Sequence, residues 1–191
     1  MVPRLIVGLG NPGKEYEATR HNAGFFFADA LAEMWKTHFA MQTKFFGQVA
    51  KAQVHGEDVW LLKPTTFMNR SGMSVAALAQ FYKIPAQAVL AVHDELDIQP
   101  GEARLKVGGG AGGHNGLKDM IKALGTPDFM RLRLGIGHPG HASQVANYVL
   151  HPFAKQERDA LDDSIARCLH VIDSVMTDKL PLAMNKLHTK Q

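Results

Sequence analysis

The chain has 191 residues, 46% of them hydrophobic, with a formal net charge of +3 and a single cysteine. That length suits one compact domain with a sizeable core, the lone Cys168 excludes an internal disulfide, and no run of about 18 apolar residues exists to span a membrane. So small a positive excess says little about partners, and the placement of the cations matters more. In chain order, Met1-Val2-Pro3-Arg4 leads straight into an apolar segment, leaving no room for a signal or transit sequence, so a cytoplasmic location is expected. Residues 4–9 read as a buried strand, and Asn22 is placed to cap a helix running to about Lys36 through Phe25, Phe26, Ala28, Leu31, Ala32 and Trp35. Residues 45–54 and 58–63 are β-like and separated by a hairpin at His55-Gly56-Glu57. A helix is predicted over 69–83, stopped by Ile84-Pro85, then strands over 88–92 and 103–107. The glycine loop 108–113 precedes a helix over 115–124, a strand over 131–136, a long amphipathic helix over 154–176 and a shorter one after Leu180. The pattern predicts a single α/β domain over 1–191, a twisted mixed β-sheet flanked by α-helices.

The run from Gly8 to Gly24, Gly-Leu-Gly-Asn-Pro-Gly-Lys-Glu-Tyr-Glu-Ala-Thr-Arg-His-Asn-Ala-Gly, puts two asparagines and a histidine in a glycine-rich loop beyond the first strand. Loops at the carboxyl ends of strands are where open α/β sheets place their sites. Asn and His suit such a loop because each donates and accepts hydrogen bonds. Gly8-x-Gly10-x-x-Gly13 also satisfies the dinucleotide-binding pattern as a string. That motif needs a helix opening at about the third glycine and an acid ending the next strand about 20 residues on. Here the apolar helical period begins only near Phe25, and Glu33 falls inside that helix.

Three further segments carry chemistry. In Pro64-Thr65-Thr66-Phe67-Met68-Asn69-Arg70-Ser71-Gly72, Asn69 taken alone reads as a helix cap. His93-Asp94-Glu95-Leu96-Asp97 closes a buried strand; Glu95 and Asp97 suit a solvated turn, whereas a carboxylate at the strand end, Asp94, can orient an imidazole. Gly108 to Gly113 lead to His114-Asn115-Gly116, a pair that a plain flexible hairpin would not need. No H-E-x-x-H or paired-cysteine spacing supports a metal, His138 and His141 are interrupted by Pro139-Gly140, and no G-x-S-x-G elbow occurs. Cys168, among Ile165, Leu169 and Ile172, reads as a core residue. Arg104 and Lys106 share one strand face, as do Arg131 and Arg133, two aligned basic pairs near glycine loops that look like a phosphate site.

These segments, with Phe129-Met130-Arg131-Leu132-Arg133-Leu134-Gly135-Ile136-Gly137, resemble bacterial-type peptidyl-tRNA hydrolase, in the family's order and from about Leu5 to His188. The resemblance implies a monomeric α/β hydrolase, with no metal or cofactor, that cleaves the ester between a peptide and the terminal ribose of tRNA. It places the catalytic histidine on His21 and its partner on Asp94, with substrate-binding residues at Asn11, Asn69 and Asn115. Tyr16 and Met68 are expected to wall the groove and His114 to contact substrate. Lys106 and Arg133, with Arg104, are expected to hold the tRNA's 5′ phosphate. One departure stands out: many family members carry lysines after the segment Gly137-His138-Pro139-Gly140, where this chain has His141-Ala142-Ser143-Gln144. That shifts the expected tRNA contacts toward Arg104, Lys106 and Arg133, with His141 contributing only at lower pH. Some organellar RNA-splicing factors also resemble the family without acting as hydrolases, but the full set of His21, Asp94 and three asparagines argues for the enzyme.

Overall fold

The computed structural model describes residues 1–189. A seven-stranded sheet is built from β1 (Leu5–Gly8), β2 (Ala40–Gln42), β3 (Gly47–Val54), β4 (Glu57–Pro64), β5 (Val89–Glu95), β6 (Ala103–Val107) and β7 (Met130–Gly135). Its order is β2-β3-β4-β1-β5-β7-β6. The pairs β1–β4, β1–β5 and β5–β7 are parallel, while β2–β3, β3–β4 and β6–β7 are antiparallel, so the sheet is mixed as the pattern predicts.

Helices cover both faces, which is why the central strands are apolar throughout rather than alternating. On one face Ile6, Leu61, Leu90 and Leu132 pack on α1 (Ala23–Met34), α5 (Lys155–Met176) and α6 (Leu180–His188). Leu5, Val7 and Leu62 point the other way, against α2 (Ser71–Phe81) and α3 (Asn115–Leu124). Cys168 is buried in the first of these cores. A short α4 (Val145–Val149), not expected from the sequence, follows the 138–144 loop.

The parallel centre brings the carboxyl ends of β1 and β5 together, and α1 starts directly above them. Two glycines make that seat possible. A Cβ on Gly24 would lie 2.4 Å from the Val92 carbonyl oxygen, and one on Gly8 would lie 2.3 Å from the Gly24 carbonyl. Gly10 is likewise pressed against the Phe25 ring, 2.7 Å from where its Cβ would be. Two glycines of the dinucleotide-like string, Gly8 and Gly10, are thus consumed by helix packing, and α1 opens ten residues after Gly13.

Several element ends differ from the sequence reading. Strand β5 runs on to Glu95, because β7 supplies ladder partners (Arg133, Leu134 and Gly135) that hold His93, Asp94 and Glu95 extended beyond the end of β1. Residues Thr43–Phe45 form a 3-10 turn and Phe46 is left-handed, so β3 begins at Gly47. A 3-10 turn at Met68–Arg70 precedes α2, and Asn69 makes no cap. Asn22 does not cap α1 either; its side chain is engaged elsewhere. At the far edge β6 has one free side, and there the Leu105 N–H donates to His188 Nε2 at the end of α6, 2.9 Å away.

Candidate active site

The end of β5, the turn before α1 and the start of α3 meet around one carboxylate. Asp94, 3% exposed, accepts hydrogen bonds on both oxygens: His21 Nδ1 lies 2.8 Å from Oδ2 and His114 Nε2 lies 2.8 Å from Oδ1. Burial by itself would raise the Asp94 pKa, but the two imidazoles outweigh it and hold the carboxyl well below the ordinary range. An ionised carboxylate only accepts, so the His21 proton sits on Nδ1 and Nε2 keeps its lone pair. Burial disfavours a charged His21, yet the charge and hydrogen bond of Asp94 prevail, and the His21 pKa is raised above 6.5. His93, the residue before Asp94, donates from Nδ1 to the Asp94 carbonyl oxygen at 2.8 Å. Its burial, followed by the nearby His114, lowers its pKa to about 3, so it is neutral.

Asn11 is positioned by a clamp. Asn22 Oδ1 accepts from the Asn11 N–H at 2.8 Å, and Asn22 Nδ2 donates to the Asn11 carbonyl at 2.9 Å. The Met68 N–H donates to Asn11 Oδ1 at 2.7 Å, which leaves the Asn11 amide NH2 as the group it can offer. Asn69 and Asn115 are exposed at the openings of α2 and α3. A cleft of about 370 Å³ joins His21, Asn11, Asn69 and Asn115, with Tyr16, Phe67 and Met68 on one wall and α4 on the other. A larger hollow of about 730 Å³ lies between α5 and α6, away from His21 and Asp94. His114 does not line the cleft; it lies behind it, on Asp94.

The expected basic pairs share one sheet face, Arg104 standing opposite Arg133 and Lys106 opposite Arg131 across the β6–β7 ladder. Arg104 and Lys106 are exposed, and Arg133 is paired with Glu95 at 3.1 Å. Arg131 does not belong with them. It is 2% exposed and donates to the carbonyls of Gly110, Gly109 and Pro127 at 2.6, 2.7 and 3.0 Å, fastening the glycine loop. That loop turns sharply through four glycines of positive φ: Gly108, Gly109, Gly112 and Gly113.

His21, Asp94 and His114 present possible ligand atoms within 4.8 Å of one another, a spacing that would suit a metal. The converging imidazole nitrogens, however, carry the protons donated to Asp94. They aim N–H groups rather than lone pairs at the centre, so the donor set fits a hydrogen-bonded triad and not a cage.

A family model described as peptidyl-tRNA hydrolase matches residues 5–191. The chain belongs to the peptidyl-tRNA hydrolase family. It is 57% identical over 187 residues to the peptidyl-tRNA hydrolase of Neisseria meningitidis serogroup A, covering 98% of this chain and 97% of that protein. To the peptidyl-tRNA hydrolase of Bordetella petrii it is 56% identical over 189 residues, covering 97% and 90%. The crystal structure of peptidyl-tRNA hydrolase from Acinetobacter baumannii superposes with a TM-score of 0.96 at 45% identity, over 99% of this chain and 96% of that one. Membership of the peptidyl-tRNA hydrolase family makes the chain a hydrolase that acts in translation. Among the described residues no helix is long and apolar enough to cross a membrane.

Sequence reasoning missed three parts of this site. Asn22 read as a helix cap, although its spacing from Asn11 within one loop was a usable signal. Phe67 carried no signal: it is half exposed, its backbone lies at φ 63° and ψ 153°, and its ring meets Tyr16 edge-on at 6.1 Å. The wall formed by α4 is tied down through Arg20, which donates to the Tyr148 carbonyl and to Glu157, both at 3.0 Å.

Proposed function

We propose that the chain hydrolyses the ester joining a peptide's C-terminal carboxyl to the terminal ribose of tRNA, with His21 as general base. The observation that carries this reading is His21, bonded through Nδ1 to Asp94, standing in a cleft bordered by three asparagines. Water attacks the ester carbonyl carbon while giving its proton to His21 Nε2. The tetrahedral intermediate then collapses, the carbon–oxygen bond to the ribose breaks, and the imidazolium returns the proton to the departing ribose oxygen. Asp94 fixes the tautomer and stabilises the imidazolium. Asp94 raises the His21 pKa above its ordinary 6.5, which favours the imidazolium that forms when the base takes the water's proton.

Nascent peptides share only their backbone, and the cleft offers carboxamides to read it. Asn11, with Oδ1 held by Met68, donates to the ester carbonyl and to the oxyanion that forms there. Asn69 and Asn115 keep both a donor and an acceptor, matching the two ends of a peptide group. Tyr16, Phe67 and Met68 supply apolar contact. Arg104, Lys106 and Arg133 take the tRNA's terminal 5′ phosphate, a contact that positions without reading bases and weakens with salt. The protein works as a monomer in the cytoplasm, with no cofactor.

The deciding experiment measures peptide release from an N-blocked aminoacyl-tRNA, in EDTA, for wild type and His21→Ala. Wild type is expected to release peptide, with the rate falling as pH drops through a His21 midpoint above 6.5, and His21→Ala to lose about 10²–10⁴-fold. Unchanged release by His21→Ala removes His21 as the base. No release by a folded wild type points instead to an RNA-binding protein that has kept the site.

A further inference from the structure

The second imidazole on Asp94 has no part in the chemistry above, and its geometry is fully determined. His114 Nδ1 lies 3.1 Å from the Gly116 N–H and 3.3 Å from the Leu117 N–H, two free donors in the first turn of α3. Both of those groups can only donate, so Nδ1 carries the lone pair and the His114 proton sits on Nε2. That proton points at Asp94 Oδ1, 2.8 Å away. His114 is therefore at once the N-cap of α3 and a donor to the carboxylate that serves His21.

We propose that His114 is a positioning residue: by holding the second oxygen of Asp94 it sets the orientation and basicity of His21, and it ties both to the helix that carries Asn115. With each oxygen pinned by a different ring, the carboxylate cannot rotate, so the plane of His21 is fixed. The carboxylate also divides its negative charge between two N–H donors. A single donor would leave more of that charge facing His21 and bind the imidazolium more strongly, making His21 a base that is spent at higher pH. The groups facing this pair are His21 from the turn before α1, His93 and Asp94 from β5, and Arg131 from β7, whose charge is felt at His93. The His93 ring packs edge-on against His114, with centroids 5.0 Å apart, and stays neutral, so it adds shape without charge. His21 itself lies 5.1 Å from the His114 ring.

The inference rests on His21 being the base proposed above, and the test keeps the two apart. His114→Asn is the informative variant. Asparagine is among the best N-cap residues, so it keeps the bonds to α3, but it is too short to reach Asp94. The His21 midpoint is read by nitrogen-15 NMR of the imidazoles, which needs no turnover, and the pH profile of kcat/KM is read alongside. In His114→Asn the His21 midpoint and the acid limb are expected to move up together by about one pH unit, with kcat falling roughly tenfold, KM little changed and Tm retained. An unmoved midpoint with Tm retained would make His114 a helix cap and nothing more. If the variant does not fold, the wild-type spectrum decides: a proton on His114 Nε2 coupled to the His21 titration supports the proposal, and a proton on Nδ1 overturns it. Failure of wild type to release peptide would refute the proposed function and leave the NMR result standing.

Discussion

Asn22 does not line the cleft, yet it determines what Asn11 presents there. With 1% exposure and two bonds to the Asn11 backbone, it fixes the loop that aims the Asn11 amide. Asn22→Ala removes both bonds and leaves a buried N–H and C=O without partners, which costs about 1–3 kcal/mol. The expected result is a kcat/KM lower by roughly 10–100-fold with the acid limb of the pH profile unmoved, since the His21–Asp94 bond is untouched. A shift of that limb in the variant would show that Asn22 acts through His21 instead. Asp94 was legible from the residues, because a carboxylate closing a buried strand has few structural uses, whereas Asn69, which alone reads as a helix cap, was singled out only through the family resemblance. Asn22 was not, because an asparagine just before a helix has a common structural use that local sequence cannot tell from this one. Phe67 was illegible for a different reason. Its backbone occupies a region that side chains avoid, and tertiary contacts impose such a conformation where local preference argues against it.

The seat of α1 on the sheet depends on Gly24 having no side chain. In most helices a glycine-to-alanine change stabilises, by about 0.5–1 kcal/mol. Here the added methyl would meet the Val92 carbonyl at 2.4 Å and the Leu9 N at 2.5 Å, backbone atoms that cannot swing aside. Overpacking outweighs propensity, so Gly24→Ala is expected to destabilise by about 1–3 kcal/mol or more, read as a lower urea midpoint with an unchanged m value. A higher midpoint would mean that α1 can lift off β1 without loss. Elements bounded by turn residues and carrying their own period, such as β6 and α3, have the limits the sequence suggests. Those whose limits are set by neighbours do not. β5 extends through His93 and Asp94 because β7 pairs with it beyond the end of β1, and such a partner is remote in sequence. Arg131 is the same lesson in a side chain. Its alternation with Arg133 places it on the correct face, but only the folded glycine loop shows that its charge is used inward.

At the scale of the whole molecule, three coupled groups shape stability against pH. His93 has a folded pKa of about 3, below its ordinary 6.5, so between those values the unfolded chain holds the extra proton and stability falls as pH falls. Asp94, also depressed, adds a further loss at lower pH, below its ordinary 3.8. His21 works in the opposite sense: its raised pKa contributes stability below 6.5 that is lost as pH rises through the folded value. His93→Asn retains a donor for the Asp94 carbonyl and removes the titrating ring. It is expected to lower stability at pH 7 but to flatten its decline between pH 6.5 and about 3. Urea unfolding across that range checks this, and an undiminished slope would assign the decline to other groups. The mixed sheet and its helical layers were evident from the order of elements, whereas the strand order was not, since it depends on crossovers rather than on local pattern.

The bond from Leu105 to His188 bears on encounters between molecules. An open border strand is a template on which foreign β-strands can grow, and proteins blunt that hazard by shortening, charging or covering the border. This sheet does all three. One border strand, β2, has three residues; the other, β6, carries Arg104 and Lys106 and is closed over by α6. An intruding strand that sought the Leu105 N–H would first have to evict His188 and, with it, the last helix of the fold.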